Sequence, residues 1–355
     1  MLPHVSRAGG WFLRSGIQET NGGVARYCHI DRQQNLAVST EITGYTVSAL
    51  VYLHSLTGDS EYLDRATAAA QFLVRKAWDR ESQTMPFEVD PPALTYFFDC
   101  GIIVRGLLSV WRATESEEYL EVAAALGQSM ATDFAGQGDY HPILELPDKK
   151  PLERDALSWS RSPGCYQLKA AMAWWDLWET AGERRFQDLY DSFLADSLRT
   201  FAGFLPGHPD RLKVMDRLHA FLYFLEGLLP RAAEERCAAA MRTGIAMVER
   251  LLREIAPDFE RSDVYAQLLR IRLYADWAGA VPLDRGAAGF EVSRLAGFQS
   301  SGEDPRLDGG FCFGRKNGQC LPHMNPVSTA FALQALALWD AHRSGEAQPH
   351  RHLLI

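Results

Sequence analysis

Apolar helical stripes that open on polar residues recur along the chain. The stretch "STEITGYTVSALVYLHSLTGDSEYLDRA" (39–66) starts with polar residues, continues with apolar residues at helical spacing, and turns at Gly58-Asp59. Glu41 lies in the first turn of this predicted helix, ahead of a long apolar surface. The pattern predicts a helix that lines a cavity.

Internal repeats predict a series of helical hairpins. The segments "SLTGDSEYLDRATAAAQFL" (55–73) and "RATESEEYLEVAAALGQSM" (112–130) align at an offset of 57 residues, and "WETAGERRFQDLYDSFLADSL" (178–198) is a weaker copy. Each unit is predicted to be a helix, a short turn and a second helix. Three more diverged pairs are predicted to begin with the apolar helices 215–230, 262–279 and 325–342, which makes six hairpins.

The two ends of the chain share another element. "GIQETNGGVARY" (16–27) resembles "GFQSSGEDPRLDGGFCF" (297–313), since in each a Gln is followed by Gly-Gly and an aromatic residue. A closed ring brings the first and last hairpins side by side, whereas a linear solenoid needs polar caps at both ends. We therefore expect an all-α fold, an (α/α)6 toroid of six helical hairpins. Residues 1–355 are expected to form a single domain, with the N- and C-terminal Gly-rich segments closing the ring.

Composition narrows the functional classes. The chain has 45 acidic and 36 basic residues and a net charge of -9, without a Lys/Arg block, which argues against a nucleic-acid partner. The N-terminus lacks a continuous apolar segment and no stretch approaches about 18 apolar residues, so we expect no membrane partner and a cytoplasmic location. Six cysteines are scattered without a CxxC pair. This favours buried thiols, and we expect no metal, no cofactor, and a monomer or homodimer.

Polar residues near the starts of the predicted inner helices are the candidate cavity lining. In a toroid these N-terminal turns point toward the mouth of the hole. So many polar groups would be costly in a dry core, whereas a wet cavity of substrate size accommodates them. The candidates are Glu41, Tyr45, Asp99, Trp159, Tyr166, Asp216, Arg217, His219, Asp263, Gln267, Arg270, His323 and Asn325.

Each candidate also has a structural interpretation. Acids in the first turn of a helix, such as Glu41 and Asp99, favour the helix dipole without any catalytic role. Asp263, Gln267 and Arg270 lie at i, i+4 and i+7, a spacing equally typical of an internal salt-bridge network. Trp159 stands in the loop "LSWSRSPGCY", where it either stacks on a ligand or packs against the protein.

The repeated "TGDxxYLxxA" turn and the segment "FFDCGIIVRGLL" (97–108) resemble the six-hairpin glycosidase superfamily. In the unsaturated glucuronyl hydrolases of that group, an Asp-x-Gly motif at the start of an inner helix carries a catalytic Asp, and Asp99-Cys100-Gly101 matches it. Those hydrolases have a second Asp at the start of the third hairpin, where this chain has Cys165 and Tyr166. The resemblance implies a glycoside hydrolase acting on an oligosaccharide or a uronic-acid-containing sugar.

Glycoside hydrolysis needs a protonated carboxyl that donates to the leaving oxygen and a carboxylate that activates water or attacks. A toroid can supply the two groups from different helices. Glu41, Asp99 and Asp216 are our catalytic candidates, and a small-molecule carbohydrate is the expected partner.

Two other functions stay open. The N-acylglucosamine and cellobiose epimerases share the toroid and use a histidine pair from the fourth and sixth inner helices. His219 and His323 lie at similar places, although the epimerase segment of the Pro-Gly-His-Thr type is absent around His219. The third possibility is a non-catalytic saccharide-binding toroid, because a fold alone does not decide function.

Overall fold

The computed structural model describes residues 3–256, 258–347 and 349–355, which form mostly α-helix. The all-α class expected from the sequence is confirmed. The helices of the described residues are α1 (Pro3–Arg14), α2 (Thr40–Thr57), α3 (Ser60–Phe72), α4 (Phe97–Thr114), α5 (Glu117–Thr132), α6 (Leu168–Ala181), α7 (Arg184–Thr200), α8 (Arg211–Gly227), α9 (Glu235–Ile255), α10 (Ser262–Trp277), α11 (Arg285–Ala296) and α12 (Pro326–Arg343).

Short strands connect several of these helices. They are β1 (Cys28–His29), β2 (Gln34–Asn35), β3 (Leu94–Tyr96), β4 (Ile143–Glu145), β5 (Lys150–Pro151), β6 (Phe259–Arg261), β7 (Gly314–Lys316), β8 (Gln319–Cys320) and β9 (His323–Met324). They form antiparallel sheets with the orders β2-β1-β9, β3-β4-β5 and β6-β7-β8. Because β3 runs directly into α4 and β6 directly into α10, these strands fix where two inner helices begin.

The chain divides into two compact units. Unit 1 contains Met1–Ile17, Tyr27–Leu36 and Leu198–Arg351, and unit 2 contains Gln18–Arg26, Ala37–Ser197 and His352–Ile355. Closure of a single ring by the two Gly-rich ends stays a prediction.

Unit 2 contains the hairpins α2/α3, α4/α5 and α6/α7. Helix α4 packs between α2 and α6, and from Phe97 to Val110 it is buried on all sides. Helix α7 instead buries one face and exposes the other. A helix that is apolar all round belongs inside and an amphipathic one outside, so the sequence difference between the two helices of a hairpin produces an inner and an outer layer.

Two glycines of α4 allow its close contact with both neighbours. A Cβ on Gly101 would lie 2.5 Å from the carbonyl oxygen of Ala170 on α6, and a Cβ on Gly106 would lie 2.6 Å from that of Gly44 on α2. No ordinary side chain fits at either point. The Gly of the Asp-x-Gly motif therefore has a packing reason, which is to bring the start of α4 against α6.

Unit 1 contains the hairpins α8/α9 and α10/α11, with α10 packed between α8 and α12. The second helix of the sixth pair is α1, which packs on α12 and whose Trp11 donates to the carbonyl of Arg306 at 2.8 Å. The sixth hairpin is thus completed by the N-terminus rather than by a helix that follows α12.

The repeated end segments have the same local structure. The side-chain amide nitrogen of Gln18 donates to the backbone carbonyl of Gly22, and the side-chain amide nitrogen of Gln299 donates to the backbone carbonyl of Gly309. In both segments a backbone amide after the Gly-Gly pair then donates to a threonine hydroxyl of an inner helix, Val24 to Thr43 and Phe311 to Thr329, each at 3.0 Å. The sequence similarity of the ends therefore encodes one type of loop that is anchored to a helix.

The structure also bears on the thiols and on membrane insertion. All six cysteines are free; five are buried as expected, while Cys320 on β8 is exposed. Within the described residues, no helix has the length and apolarity needed to cross a bilayer.

We predict that Gly101→Ala lowers the free energy of unfolding by about 1–3 kcal/mol, because the added methyl group overlaps Ala170 and forces α4 away from α6. Urea denaturation followed by far-UV circular dichroism measures the change. Gly289→Ala on α11 is the matched control, since nothing lies within 4 Å of its Cβ position. That control should stabilise the protein by up to about 1 kcal/mol through helix propensity. Equal effects of the two substitutions would contradict the packing role of Gly101.

Candidate functional site

Two carboxyl groups come together at the starts of α2 and α4. Glu41 and Asp99 each lie in the first turn of their helix, and Asp99 is only 5% exposed. Among the described residues, Asp99 Oδ2 has no hydrogen-bond partner although it is buried. A first-turn acid that served only the helix end would be expected to place its oxygens on free backbone amides or in water. Asp99 Oδ2 does neither.

The environment of this acid pair favours protonated carboxyl groups. Burial raises the pKa of Glu41 from an ordinary value of 4.5 to about 7. Burial raises the pKa of Asp99 well above its ordinary value, and the nearby charge of Glu41 raises it further. Loss of water and a like charge both disfavour an ionised carboxyl group. The pair can therefore hold a proton near neutral pH.

A pair of aromatic side chains lies on the α6 side of Asp99, with Tyr166 the nearer of the two. Tyr166, from the short helical turn before α6, is buried, and its hydroxyl donates to the carbonyl of Ser162 at 3.2 Å. Burial raises the pKa of Tyr166, and the charge of Asp99 adds to this effect. The ring of Trp159 meets that of Tyr166 edge to face at a centroid distance of 5.0 Å. Trp159 is only partly buried, so it packs on Tyr166 while keeping some of its surface accessible.

A second polar cluster lies in unit 1, between α8 and α10. Arg261 donates to Asp216 at 2.8 Å, and its other nitrogens contact both oxygens of Asp263 at 3.0 and 2.6 Å. His219 Nδ1 lies 2.7 Å from Gln267 Oε1 and 3.6 Å from Asp263 Oδ2. The predicted candidates Asp216, His219, Asp263 and Gln267 thus belong to one network, with Arg261 at its centre.

His219 is a neutral imidazole in this network. Burial lowers its pKa to about 4, although the charge of Asp263 acts in the opposite direction. With the amide oxygen of Gln267 facing His219, the proton is on Nδ1 and Nε2 keeps its lone pair. Burial acts to raise the pKa of Asp263, but the charge of Arg261 outweighs it and holds that pKa below its ordinary value. The surroundings of Asp263 therefore favour its ionised form, whereas those of Asp99 disfavour it.

The remaining candidates of unit 1 fall into different surroundings. His323 on β9 is partly buried and packs against the rings of His29 and Tyr27, at centroid distances of 5.5 and 4.7 Å. Burial and the neighbouring His29 lower the pKa of His323. Asn325 accepts hydrogen bonds from the amides of Val327 and Ser328 as the N-cap of α12. His219 instead packs against the rings of Tyr223 and Phe331.

Two arginines and one tyrosine lie in the core. Arg270 is fully buried, forms an ion pair with Glu226 and donates to Gln334 at 3.0 Å. Arg217 is also buried; it donates to the carbonyl of Phe204 at 2.9 and 3.2 Å and lies over the Phe204 ring. Tyr45 is 1% exposed on α2. Arg270 therefore belongs to an internal salt-bridge network, which is the structural interpretation given for it above. Asp263 and Gln267, on the same face of α10, lie beside His219 instead.

Sequence reasoning missed Tyr96 and Arg261, which belong to the two clusters. Each is the last residue of a three-residue strand and directly precedes an inner helix, α4 or α10. Burial raises the pKa of Tyr96, and the charges of Asp99 and Glu41 raise it further, which places its hydroxyl near the acid pair. The available signal was a bulky polar residue immediately before each helix start. Among the described residues, no group of three or more His, Cys, Asp or Glu side chains is arranged to hold a metal ion.

Comparison with known proteins identifies the fold. No protein family model and no curated protein sequence matches this chain. Among solved structures, cellobiose 2-epimerase from Spirochaeta thermophila DSM 6192 is similar with a TM-score of 0.72 at 13% identity, over 96% of this chain and 97% of that one. A sugar epimerase from a ruminal bacterium gives 0.71 at 12% identity, over 94% and 98%. A family 76 glycoside hydrolase from a bovine Bacteroides thetaiotaomicron strain gives 0.63 at 12% identity, over 96% and 78%.

These likenesses confirm the expected fold class, an all-α (α/α)6 toroid. Identities of 12–13% carry the fold and no particular activity. Epimerases and a hydrolase share this fold, so the fold does not decide the activity of this chain.

We predict that Glu41→Gln stabilises the protein more at pH 8 than at pH 5. An acid whose pKa is higher in the folded state binds more protons there, so the free energy of unfolding falls as the pH rises from 4.5 toward about 7. Glutamine removes this loss and also the repulsion that Glu41 exerts on Asp99. Urea unfolding at pH 5, 6, 7 and 8 should show a difference between variant and parent that grows across this window and then levels off. Glu145→Gln, at an exposed position on β4, controls for the loss of a surface carboxylate; a pH-independent difference for Glu41→Gln would refute the assignment.

Proposed function

We propose that this protein is a carbohydrate-active enzyme that hydrolyses a glycosidic bond, with Asp99 as the general acid and Glu41 as the second carboxyl group. The observation that carries the proposal is the buried Asp99 Oδ2, which lacks a hydrogen-bond partner among the described residues. The negative charge of Glu41 also raises the pKa of Asp99. Enzymes usually assign acid and base roles through the surroundings of two titratable groups. The group that is held protonated acts as the acid, and the group that ionises more easily acts as the base.

The reaction follows from these protonation states. Asp99 gives its proton to the leaving glycosidic oxygen as the bond from that oxygen to the anomeric carbon breaks. A water molecule bonds to the anomeric carbon, and its proton passes to the Glu41 carboxylate; alternatively, Glu41 first bonds to that carbon and water releases it. Water supplies one hydrogen and one hydroxyl group to the two products, and no cofactor is required.

Aromatic residues near the acid pair support a sugar ligand. Trp159 keeps accessible ring surface and packs on Tyr166, which lies beside Asp99. Flat aromatic rings that combine apolar surface with a polar edge suit the mixed faces of a pyranose. The sugar-processing activities named for similarly folded proteins, an epimerase and a glycoside hydrolase, point to the same substrate class. We place Tyr45 in the packing behind Glu41 rather than against the sugar, because it is 1% exposed.

We predict that Asp99→Asn and Glu41→Gln each lower turnover on a panel of aryl glycosides by a factor of about 10² or more, because each removes a proton-transfer group. Asp148→Asn is the control, as its exposed carboxylate in the β4–β5 turn pairs with Lys150 at the surface. Circular dichroism establishes that the variants fold. Full activity in both Asp99→Asn and Glu41→Gln would remove the proposal.

A sugar epimerase or isomerase is the second candidate function, and the state of His219 favours it. The imidazole is neutral, its Nδ1 is tied to Gln267, and its Nε2 keeps a lone pair that can remove a proton from carbon. His323, Asp263, Gln267 and Asn325 would then contribute to the site in unit 1. The third possibility is a saccharide-binding protein. In that case neither the acid pair nor the His219 network would catalyse a reaction.

Deuterium exchange separates the two enzyme classes. If His219 removes a sugar proton, incubation with aldoses or N-acylhexosamines in D2O should place deuterium at the carbon that is inverted or isomerised, since the removed proton mixes with solvent. His219→Gln should abolish this incorporation, while the control His208→Gln, before α8, should keep it. Proton NMR of the sugar measures both. Absence of deuterium with the parent protein, together with cleavage of an aryl glycoside, would leave hydrolysis as the function.

A further inference from the structure

The proposed proton donor is shut off from solvent in this structure. Asp99 is 5% exposed, its Oδ2 is buried, and Tyr166 beside it is buried as well. A general acid has to come within hydrogen-bond reach of the leaving oxygen, about 2.6–3.2 Å. If Asp99 is that acid, as our proposed function states, part of the chain has to move before a sugar can bind.

A segment that is distant in sequence is buried against α6. Leu354 and Ile355, of the 352–355 segment in unit 2, are each 1% exposed. The carbonyl oxygen of Ile355 accepts a hydrogen bond at 3.0 Å from the ammonium group of Lys169. Lys169 lies in the first turn of α6 and is fully buried. The 352–355 segment therefore covers a cationic group that would otherwise stand at the start of an inner helix.

Lys169 belongs to the same face of α6 as Tyr166. It follows Tyr166 by three residues, a spacing that places two side chains on one side of a helix. The ring centroid of Tyr166 lies 6.1 Å from that of Phe98, the residue before Asp99 on α4. The charge of Asp99 also acts on the Tyr166 hydroxyl. This face of α6 is thus directed at the start of α4.

The same face meets α4 again at a deeper level. Asp176 follows Lys169 by seven residues and accepts from Arg105 of α4 at 2.9 Å, and both side chains of this ion pair are buried. Lys169 therefore lies between two points at which α6 contacts α4. The 352–355 segment, which Lys169 binds, is on the side of α6 that faces α4 and the acid pair.

The hydrogen bond of Lys169 to Ile355 can be exchanged for one to a sugar. A buried ammonium group is costly unless oxygen atoms replace its water. The Ile355 carbonyl supplies such an oxygen, and sugar hydroxyl groups are acceptors of the same kind. A ligand shifts an equilibrium between two conformations only by binding one of them better. A sugar that takes over Lys169 would bind the conformation from which the segment has departed.

We propose that the 352–355 segment closes the sugar site, and that a substrate binds only after this segment leaves Lys169. In the closed state, Leu354 and Ile355 fill the space beside Tyr166 and Asp99. In the open state, Lys169 and Asp99 face one cavity, where Lys169 donates to an oxygen of the sugar. The effect on turnover rests on the proposed function, whereas the closure can be measured without any substrate.

Chemical labelling of the full chain, followed by peptide mass spectrometry, measures the closure. Leu354→Ala loosens the buried packing, and Leu353→Ala is the matched control at a partly exposed position of the same segment. Leu354→Ala should raise the rate of Lys169 acetylation by N-hydroxysuccinimidyl acetate at least about tenfold, because local opening controls the reaction. Modification of Asp99 by a carbodiimide and glycinamide should accelerate by a similar factor. Leu353→Ala should stay within about twofold of the parent for both labels.

Two further labels separate local opening from unfolding. Cys100 is fully buried, so its alkylation by iodoacetamide reports unfolding and should be unchanged in Leu354→Ala. If that variant unfolds, Leu354→Val applies the same test with a smaller loss of packing. Exposed Asp148 is the reference for the carbodiimide reaction.

Three labelling results would overturn the proposal. The first is faster labelling of Lys169 without that of Asp99, which would separate the segment from the acid pair. The second is labelling of Asp99 in the parent as fast as that of Asp148. The third is exposure of Asp99 in Trp159→Ala but not in Leu354→Ala, which would assign the closure to the loop around Trp159.

Turnover tests the consequence for the proposed function. On an aryl glycoside that the parent cleaves, Leu354→Ala should lower the apparent KM at least about threefold with kcat unchanged, because a larger fraction of the molecules is open. Leu353→Ala should keep the KM of the parent. An unchanged or higher KM in Leu354→Ala would overturn the inhibitory role of the segment. If Lys169 and Asp99 become reactive together but no variant cleaves any aryl glycoside, the proposed function fails while the closure stands.

Discussion

Close packing of the inner helices α2, α4 and α6 is the constraint on which the acid pair depends. The missing side chains of Gly101 and Gly106 let α4 lie against both neighbours at backbone distance. The first turns of α2 and α4 consequently lie side by side. Burial there desolvates the carboxyl groups of Glu41 and Asp99, and the charge of Glu41 acts on Asp99. Their raised pKa values follow from helix packing and not from a particular hydrogen bond, so the electrostatics of the site are a property of the fold.

The sequence predicted the inner helices because their apolar periodicity is long and their turns repeat. It also singled out Glu41 and Asp99, since a polar residue in the first turn of an otherwise apolar helix stands out. It did not reveal α1 as the partner of α12, because a contact between the two ends of the chain leaves no local pattern in "PHVSRAGGWFLR". Arg261 was not predicted as a site residue, because a three-residue strand is too short to show an alternation of apolar and polar residues.

Depth along a helix explains why some predicted lining residues are in the core. Arg270 follows Asp263 by seven residues, and Glu226 follows His219 by the same number. Seven residues correspond to about 10 Å along a helix, so both lie two turns farther from the helix start. There Arg270 and Glu226 neutralise each other in full burial, whereas His219 and Asp263 interact beside the N-terminal end of α10. The sequence shows which face of a helix a residue lies on, but not how deeply that residue is buried in the fold.

Charge compensation then distinguishes the two polar clusters chemically. Asp216 and Asp263 share the guanidinium of Arg261, and this cation keeps the pKa of Asp263 low. Asp99 instead lies buried beside the like charge of Glu41, and its pKa moves the other way. A carboxyl group that must donate a proton near neutral pH has to lack such compensation, because a nearby guanidinium would hold it ionised. An uncompensated acid pair costs stability, which is the kind of local conflict expected where a fold supports chemistry. This is the physical reason why our proposal assigns the proton donor to Asp99 rather than to Asp216.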